Sequence, residues 1–270
     1  MNRLFTIIYL FGILAVMPNL EAEERIDSVF VSDFNAGVGD LSYVGNQILH
    51  ASEESLLNVG IVLGTSILAM PLDEEMRSIS QRNRSTLDGS LLSFANGYGE
   101  LLYPALGTVG IYGLGLGFED ERMRFFSRKT FTSLMVAGVM TTAIKSIVGR
   151  SRPFMNEGSQ TYTPFNVHDA RLSFPSGHTT IAFVMSASLS KLIDRWWADI
   201  VLYGLATGTA YARMHNDRHW LSDTILGGAI GYFATQWVYD ADENTTKSSS
   251  KASLIPIISP NSLGIIVNIE

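Results

Sequence analysis

The chain contains no cysteine among its 270 residues. That excludes a disulfide scaffold, a thiolate metal site and a cysteine nucleophile, and leaves the compartment open. It also lacks an excess of positive charge: 19 Lys and Arg stand against 26 Asp and Glu, a net −7 at pH 7. Such a balance argues against general nucleic-acid binding, which needs a basic surface. Any anionic ligand must then be held by a local cluster of cations. No internal repeat is visible. Unbroken greasy runs are missing as well. Leu56 to Leu72, Leu101 to Phe118 and Leu172 to Ser190 approach the ~20 apolar residues of a membrane span, but Gly, Ser and Thr dilute them.

The chain opens with "MNRLFTIIYLFGILAVMPNLEAEERID". Arg3, the short apolar run Leu4 to Met17 and Ala22 ahead of Glu23 have the order of a secretory signal, so residues 1–22 are expected to be a signal peptide, with an uncleaved anchor as the alternative. Residues 23–45 read as a polar segment. From 46 to 239 the pattern is helical, with helices expected at about 46–70, 74–86, 90–116, 121–149, 176–193, 197–213 and 220–239. Residues 240–253, "DADENTTKSSSKAS", read as a polar linker. Two β-rich runs about a Pro-Asn-Ser turn predict a small hairpin at 254–270. The expected fold is mainly α, a compact helical bundle with a small β appendage. Arg122, Arg124, Arg128 and Lys129 begin one helix and Lys191 and Arg195 end another, a pattern compatible with positive-inside topology. The small-residue content favours an exported protein that is soluble or peripheral to the membrane; an integral inner-membrane protein with a periplasmic site is the alternative.

Three stretches carry unusual chemistry. In "KSIVGRSRP", Lys145 and Arg152 lie seven residues apart, about two helical turns, and share a face if the helix lasts that long; Pro153 forces the chain out of it. In "LSFPSGHTTIAF", Pro175 and Ser176 suit a helix start, Gly177 permits close approach, and His178 supplies a proton donor titrating near neutrality. A helix start presents unpaired N–H groups that suit an anion. In "ARMHNDRHWLSD", Asp223 follows His219 by four residues, so a helix starting there would bring carboxylate and imidazole together. Taken singly, these are a solvated cation cluster, a capped turn and a structural hydrogen bond. Taken jointly, three cationic donors, a helix N-terminus and two differently placed histidines equip a site for a tetrahedral oxyanion.

The three stretches resemble those of the type 2 phosphatidic acid phosphatase (PAP2) superfamily, which includes bacterial non-specific acid phosphatases and vanadium haloperoxidases. Its pattern is matched by Lys145…Arg152-Pro153, by Pro175-Ser176-Gly177-His178 and by Arg213…His219…Asp223. Ala212 stands where the family usually has Ser. The resemblance spans about Thr130 to Tyr239. It implies a phosphoric ester hydrolase in which His219 is the nucleophile, Asp223 orients it, and His178 is the general acid. Lys145, Arg152 and Arg213, with the backbone near Ser176 and Gly177, would hold the phosphate oxygens. No metal or other cofactor is implied, and vanadate is expected to inhibit. The expected substrate is a phosphomonoester or diphosphate of a membrane lipid, such as phosphatidate, phosphatidylglycerol phosphate, polyprenyl diphosphate or a lipid A phosphate, met at the membrane surface or in the bilayer. The alternatives are a soluble periplasmic acid phosphatase acting on small esters, a vanadate-dependent haloperoxidase and a silent phosphate or lipid binder. His215, Asp217 and Arg218 are expected in a solvated loop, His168 and Asp169 at the mouth of the site, and His50 in a structural role.

Overall fold

A computed structural model describes residues 20–82, 89–247, 253–259 and 262–268. Among them are nine α-helices: α1 (Leu20–Leu49), α2 (Glu53–Ala69), α3 (Asp73–Arg82), α4 (Gly89–Tyr98), α5 (Leu102–Gly117), α6 (Glu121–Val148), α7 (Gly177–Ile193), α8 (Trp196–His215) and α9 (Leu221–Lys247). Strands β1 (Ser253–Ser259) and β2 (Ser262–Asn268) pair antiparallel. The protein is mainly helical.

Local chemistry sets the limits of α6, the central helix. The Asp120 carboxylate accepts the Met123 amide at 3.0 Å, an N-cap. At the other end Gly149 turns left-handed at φ 62°, the usual glycine stop. Around α6 pack α5, α7 and α9, with α8 against α7 and α4 against α8. The shared core contains Val44, Leu134, Ala137, Val184, Leu226 and Val238.

Several elements differ from expectation. The segment 23–45, read as polar from the sequence, lies within α1. Its carboxylates explain how it docks: Asp33 bonds Arg124 and Tyr112, and Asp40 bonds Arg128 at 2.5 Å and Lys129 at 2.8 Å. Charges that look solvated in sequence are therefore cross-links to α6. The helix expected at 46–70 is interrupted at residues 50–52, where Ser52 caps α2 by accepting the Ser55 amide. The helix expected at 90–116 breaks between α4 and α5 because Gly99 lies against α7: a Cβ there would sit 2.4 Å from the His178 carbonyl oxygen. The linker expected from residue 240 is helical to Lys247, and its remainder up to residue 252 lies outside the described residues. Of the expected signal peptide, residues 1–19 lie outside them too, and α1 runs across the expected cleavage point at Ala22.

Helix direction brings the three sequence stretches to one end of the bundle. There α6 finishes, α7 starts, α8 finishes and α9 starts. The junction is tight. The Ser176 amide donates to the Asp223 carbonyl at 2.9 Å, and a Cβ on Gly227 would meet the Ser176 carbonyl oxygen at 2.5 Å.

Two outcomes follow from this packing. Gly227→Ala should push the start of α7 away from α9, costing about 1–3 kcal/mol of stability while far-UV circular dichroism stays helical. Asp40→Ala removes the carboxylate 2.8 Å from Lys129, which is 0% exposed. Its thermal midpoint should fall by an amount reflecting about 3–5 kcal/mol, and adding Lys129→Met should restore part of the loss.

Candidate active site

Lys145 leaves the last turn of α6 with its ammonium 2.6 Å from the Leu172 carbonyl oxygen. It lies over the start of α7, since a Cβ on Gly177 would be 3.8 Å from Lys145 Cε. Lys145 and Arg152 do not share a helical face. The helix stops at Gly149, and Arg152 is extended at φ −76°, ψ 151°, as the following proline requires. The loop instead returns Arg152 to the site and binds it to Asp169, by Nε to the carbonyl oxygen at 2.8 Å and Nη2 to Oδ1 at 2.6 Å. Arg213, in the last turn of α8, donates Nη1 to Asn96 Oδ1 at 2.5 Å. Its Nε is buried with no hydrogen-bond partner among the described residues. The charges of Lys145, Arg152 and Arg213 act on one another and reach both histidines.

At the mouth of α7 the first intrahelical bond is Thr180 N–H to the Ser176 carbonyl, at 3.0 Å. The amides of Gly177, His178 and Thr179 precede it and carry the positive end of the helix dipole. Ser176 differs from expectation. Its amide is engaged by Asp223, its hydroxyl accepts from Thr179 Oγ1 at 2.9 Å, and it makes no side-chain cap. It is 0% exposed, so it shapes the turn and offers no donor to a ligand.

His219 stands in the loop before α9, almost fully buried. Its Nδ1 lies 2.8 Å from the Ser173 carbonyl oxygen and 3.5 Å from Asp223 Oδ2. Both neighbours are acceptors only, so Nδ1 carries the proton and Nε2 keeps its lone pair. The pairing of His219 with Asp223 is thus looser than the four-residue spacing suggests, because α9 starts at Leu221, beyond His219. Asp223 instead accepts the Trp220 amide at 2.8 Å, Ser173 Oγ at 2.5 Å and Arg150 Nη1 at 2.7 Å.

Burial pushes the His219 imidazole well below its ordinary range, against the pull of Asp223, and Lys145 and Arg152 push the same way. Burial alone would raise the Asp223 carboxyl; the His219 contact and Arg150 outweigh it and bring it to about 2. His178 faces Glu100, with Nε2 3.0 Å from Oε2. Burial first, then Arg213, lowers its imidazole to about 4, while Glu100 acts to raise it.

Glu100, Asn96, Ser173, Arg150 and Asp73 escaped the sequence reading. Ser173 and Arg150 lie inside the quoted stretches and could have been suspected there. Glu100 and Asn96 flank the α4–α5 break, which carries no motif; only the fold brings them to the site. Of the residues expected in a solvated loop, Arg218 is exposed, but His215 is buried and Asp217 forms a two-pronged pair with Arg77 at 2.7 Å. Among the residues expected at the mouth, His168 and Asp169 are exposed. The His50 ring lies 3.3 Å from the Asn46 carbonyl oxygen, one turn back in its own helix.

Residues 128–247 match the model of the PAP2 superfamily. The chain is 33% identical over 103 residues to a lipid A 1-phosphatase of Rhizobium etli, covering 37% of this chain and 44% of that one. It is 26% identical over 184 residues to a lipid A 1-phosphatase of Porphyromonas gingivalis, covering 66% and 37%. The matched part is thus less than half the length of these curated relatives. Similar solved structures include Aquifex aeolicus LpxE (TM-score 0.47, 20% identity, 63% of this chain and 95% of that one). A transmembrane PAP2-type phosphatidylglycerolphosphate phosphatase of Bacillus subtilis also aligns (TM-score 0.49, 19% identity, 70% and 96%). All three motifs fall within residues 128–247, the segment that matches the PAP2 superfamily.

Proposed function

We propose that the protein is a membrane-embedded, metal-independent phosphatase that removes phosphate from a lipid through a phosphohistidine on His219. The observation that carries this reading is the state of His219: a buried ring, its Nδ1–H held by Ser173 and Asp223, its Nε2 lone pair subject to the charges of Lys145 and Arg152.

The steps follow from the residues. Phosphate oxygens bind Lys145, Arg152, Arg213 and the amides of Gly177, His178 and Thr179; an oxygen would displace the exposed Asp169 carboxylate from Arg152. The incoming negative charge raises the affinity of His178 for a proton. His219 Nε2 attacks phosphorus, the N–P bond forms, the bond to the leaving oxygen breaks, and His178 delivers its proton to that oxygen. Asp223 stabilises the charge that develops on the His219 ring. Neutral His178 then takes a proton from water, the water oxygen attacks phosphorus, and the N–P bond breaks to release phosphate. The cations oppose charge on the non-bridging oxygens throughout, most strongly where it spreads in the transition state.

The lipid assignment rests on the inverted distribution of side chains and on the lipid A 1-phosphatases the chain resembles. The most apolar 18-residue window of Ser55–Arg82 has a mean hydropathy of 1.8 with 11% of it buried, and that of Glu121–Val148 has 1.5 with 33% buried. Leu56, Leu57, Ile61 and Leu68 on α2, Leu106 and Val109 on α5, and Phe131 and Val139 on α6 face outward, while Ser66, Ser127, Ser133, Ser186 and Ser188 are sealed inside. A soluble surface rarely carries so continuous an apolar face; a bilayer requires one. The two long stretches span the membrane in this reading, in place of the soluble or peripheral form suggested by composition. An apolar groove between α5 and α6, bordered by Leu101, Leu134, Met135 and Val139, begins beside Glu100 and suits a lipid chain on the leaving-group side. At the opposite end of the bundle Arg122, Lys191 and Arg195 remain exposed, which favours that end in the cytoplasm and the site on the outer face.

Detergent-purified protein should release phosphate from a lipid A 1-phosphate, phosphatidate or a polyprenyl diphosphate faster than from a soluble aryl phosphate. Release should fall to background in His219→Ala, and orthovanadate should inhibit it. Preference for the aryl ester would instead establish a soluble-type acid phosphatase, and turnover surviving in His219→Ala would refute the nucleophile. His178→Ala should lower kcat by about 10²–10⁴-fold. Glu100→Gln removes the group that raises His178, so the ring loses its proton at lower pH, and the alkaline limb of the kcat profile should move to lower pH.

A further inference from the structure

Behind Asp223 lies a cluster for which the phosphoryl-transfer steps give no use. Arg150, Asp73 and Asp223 are each 0% exposed. Arg150 donates Nε to the Ser159 carbonyl at 2.8 Å, Nη1 to both Ser222 Oγ and Asp223 Oδ1 at 2.7 Å, and Nη2 to Asp73 Oδ2 at 2.6 Å. Asp73 accepts the Ser222 amide at 2.9 Å and the Ser222 hydroxyl at 2.7 Å. The rings of Trp220, Tyr162 and Phe174 enclose the guanidinium at 5.6, 5.8 and 5.9 Å. Two carboxylates share one cation, so the trio carries one net negative charge in a sealed site. Burying an unbalanced charge is costly unless something opposes it. One positive charge does appear beside it, on the His219 ring, when Nε2 bonds to phosphorus.

We infer that Asp73 and Arg150 are positioning residues that extend the His219–Asp223 contact into a four-membered chain, Asp73–Arg150–Asp223–His219, neutral only when the nucleophile has attacked. Arg150 turns Asp223 towards His219 and partly neutralises it; Asp73 draws some of the guanidinium charge away, leaving Asp223 enough field to stabilise the cationic ring. This role rests on the phosphohistidine reading. The charged groups that act on His219 are Lys145 from α6, Arg152 from the following loop and Asp223 from α9. Arg150 and Asp73 act on it only through Asp223.

The test is the sign of two pH shifts. Arg150→Gln leaves Asp223 unopposed, so His219 holds its proton to higher pH, and the acidic limb of kcat/KM should rise by about one unit, the effect of one neighbouring charge. Asp73→Asn leaves the guanidinium to Asp223 alone, and the limb should fall. Arg150→Lys keeps the charge without the two-carboxylate fork; it should lower kcat and leave the limb in place. If Arg150→Gln does not fold, the other two variants carry the comparison. The His219 nitrogen NMR signal, assigned by its loss in His219→Ala, should titrate with the same signs and needs no turnover. An inactive wild type would therefore refute the phosphatase reading while the signal still tests the coupling. Limbs and signals that stay still, or that move the same way in Arg150→Gln and Asp73→Asn, would overturn the inference.

Discussion

The Arg150 guanidinium, with its donors engaged and no contact with solvent, is the constraint on which the active end of this protein depends. It reaches the α2–α3 junction through Asp73, the loop before α7 through the Ser159 carbonyl, and the start of α9 through Asp223 and Ser222. These elements approach that end of the bundle from different directions, and each would leave a buried charge or an orphaned polar group if it moved. Breaking one partner of such a cluster is far more costly than forming it is favourable. The result is stiffness where stiffness is useful: Asp223 can neither rotate nor protonate freely, and the ring it faces is held in one tautomer.

In the membrane-embedded reading proposed above, the remainder of the bundle follows the logic of a low-dielectric solvent. Its interior is lined with small hydroxyl residues that return their donors to helix carbonyls, as Ser133 does to Lys129, Thr180 to Ser176 and Thr235 to Gly231. Small residues let helices approach closely: Gly231 lies where a Cβ would be 2.3 Å from the Thr180 carbonyl oxygen. Large apolar side chains point outward. The same residues that make the sequence look too dilute for a membrane are the ones the helix contacts require.

Much of the site was legible because its cations and histidines lie in short stretches whose internal spacing survives folding. Lys145, Arg152, Gly177, His178, Arg213, His219 and Asp223 converge as the motifs imply, although the loop after Gly149, rather than a shared helical face, brings Arg152 back. Ser176 misled because a serine before a helix reads as a donor or cap, whereas here its amide already bonds a backbone carbonyl 47 positions later in the chain, that of Asp223. Glu100 and Asp73 were invisible for the opposite reason. Each is an ordinary acidic residue whose partner is distant in sequence, and no local pattern distinguishes it from a solvated one.

The sequence by itself determined the helical class, the limits of α6 and α7, and the gathering of cations and histidines into three short motifs, because caps, stops and motif spacing act over a few residues. Only the tertiary structure decided that residues 23–45 form a helix tied to α6 by buried carboxylates, that the apolar faces turn outward, and that His219 gives its closest hydrogen bond to Ser173 rather than Asp223. Those outcomes depend on which charges are sealed from water and which carbonyls meet across the bundle. Burial and distance between remote segments are set by packing, and the order of residues along the chain does not record them.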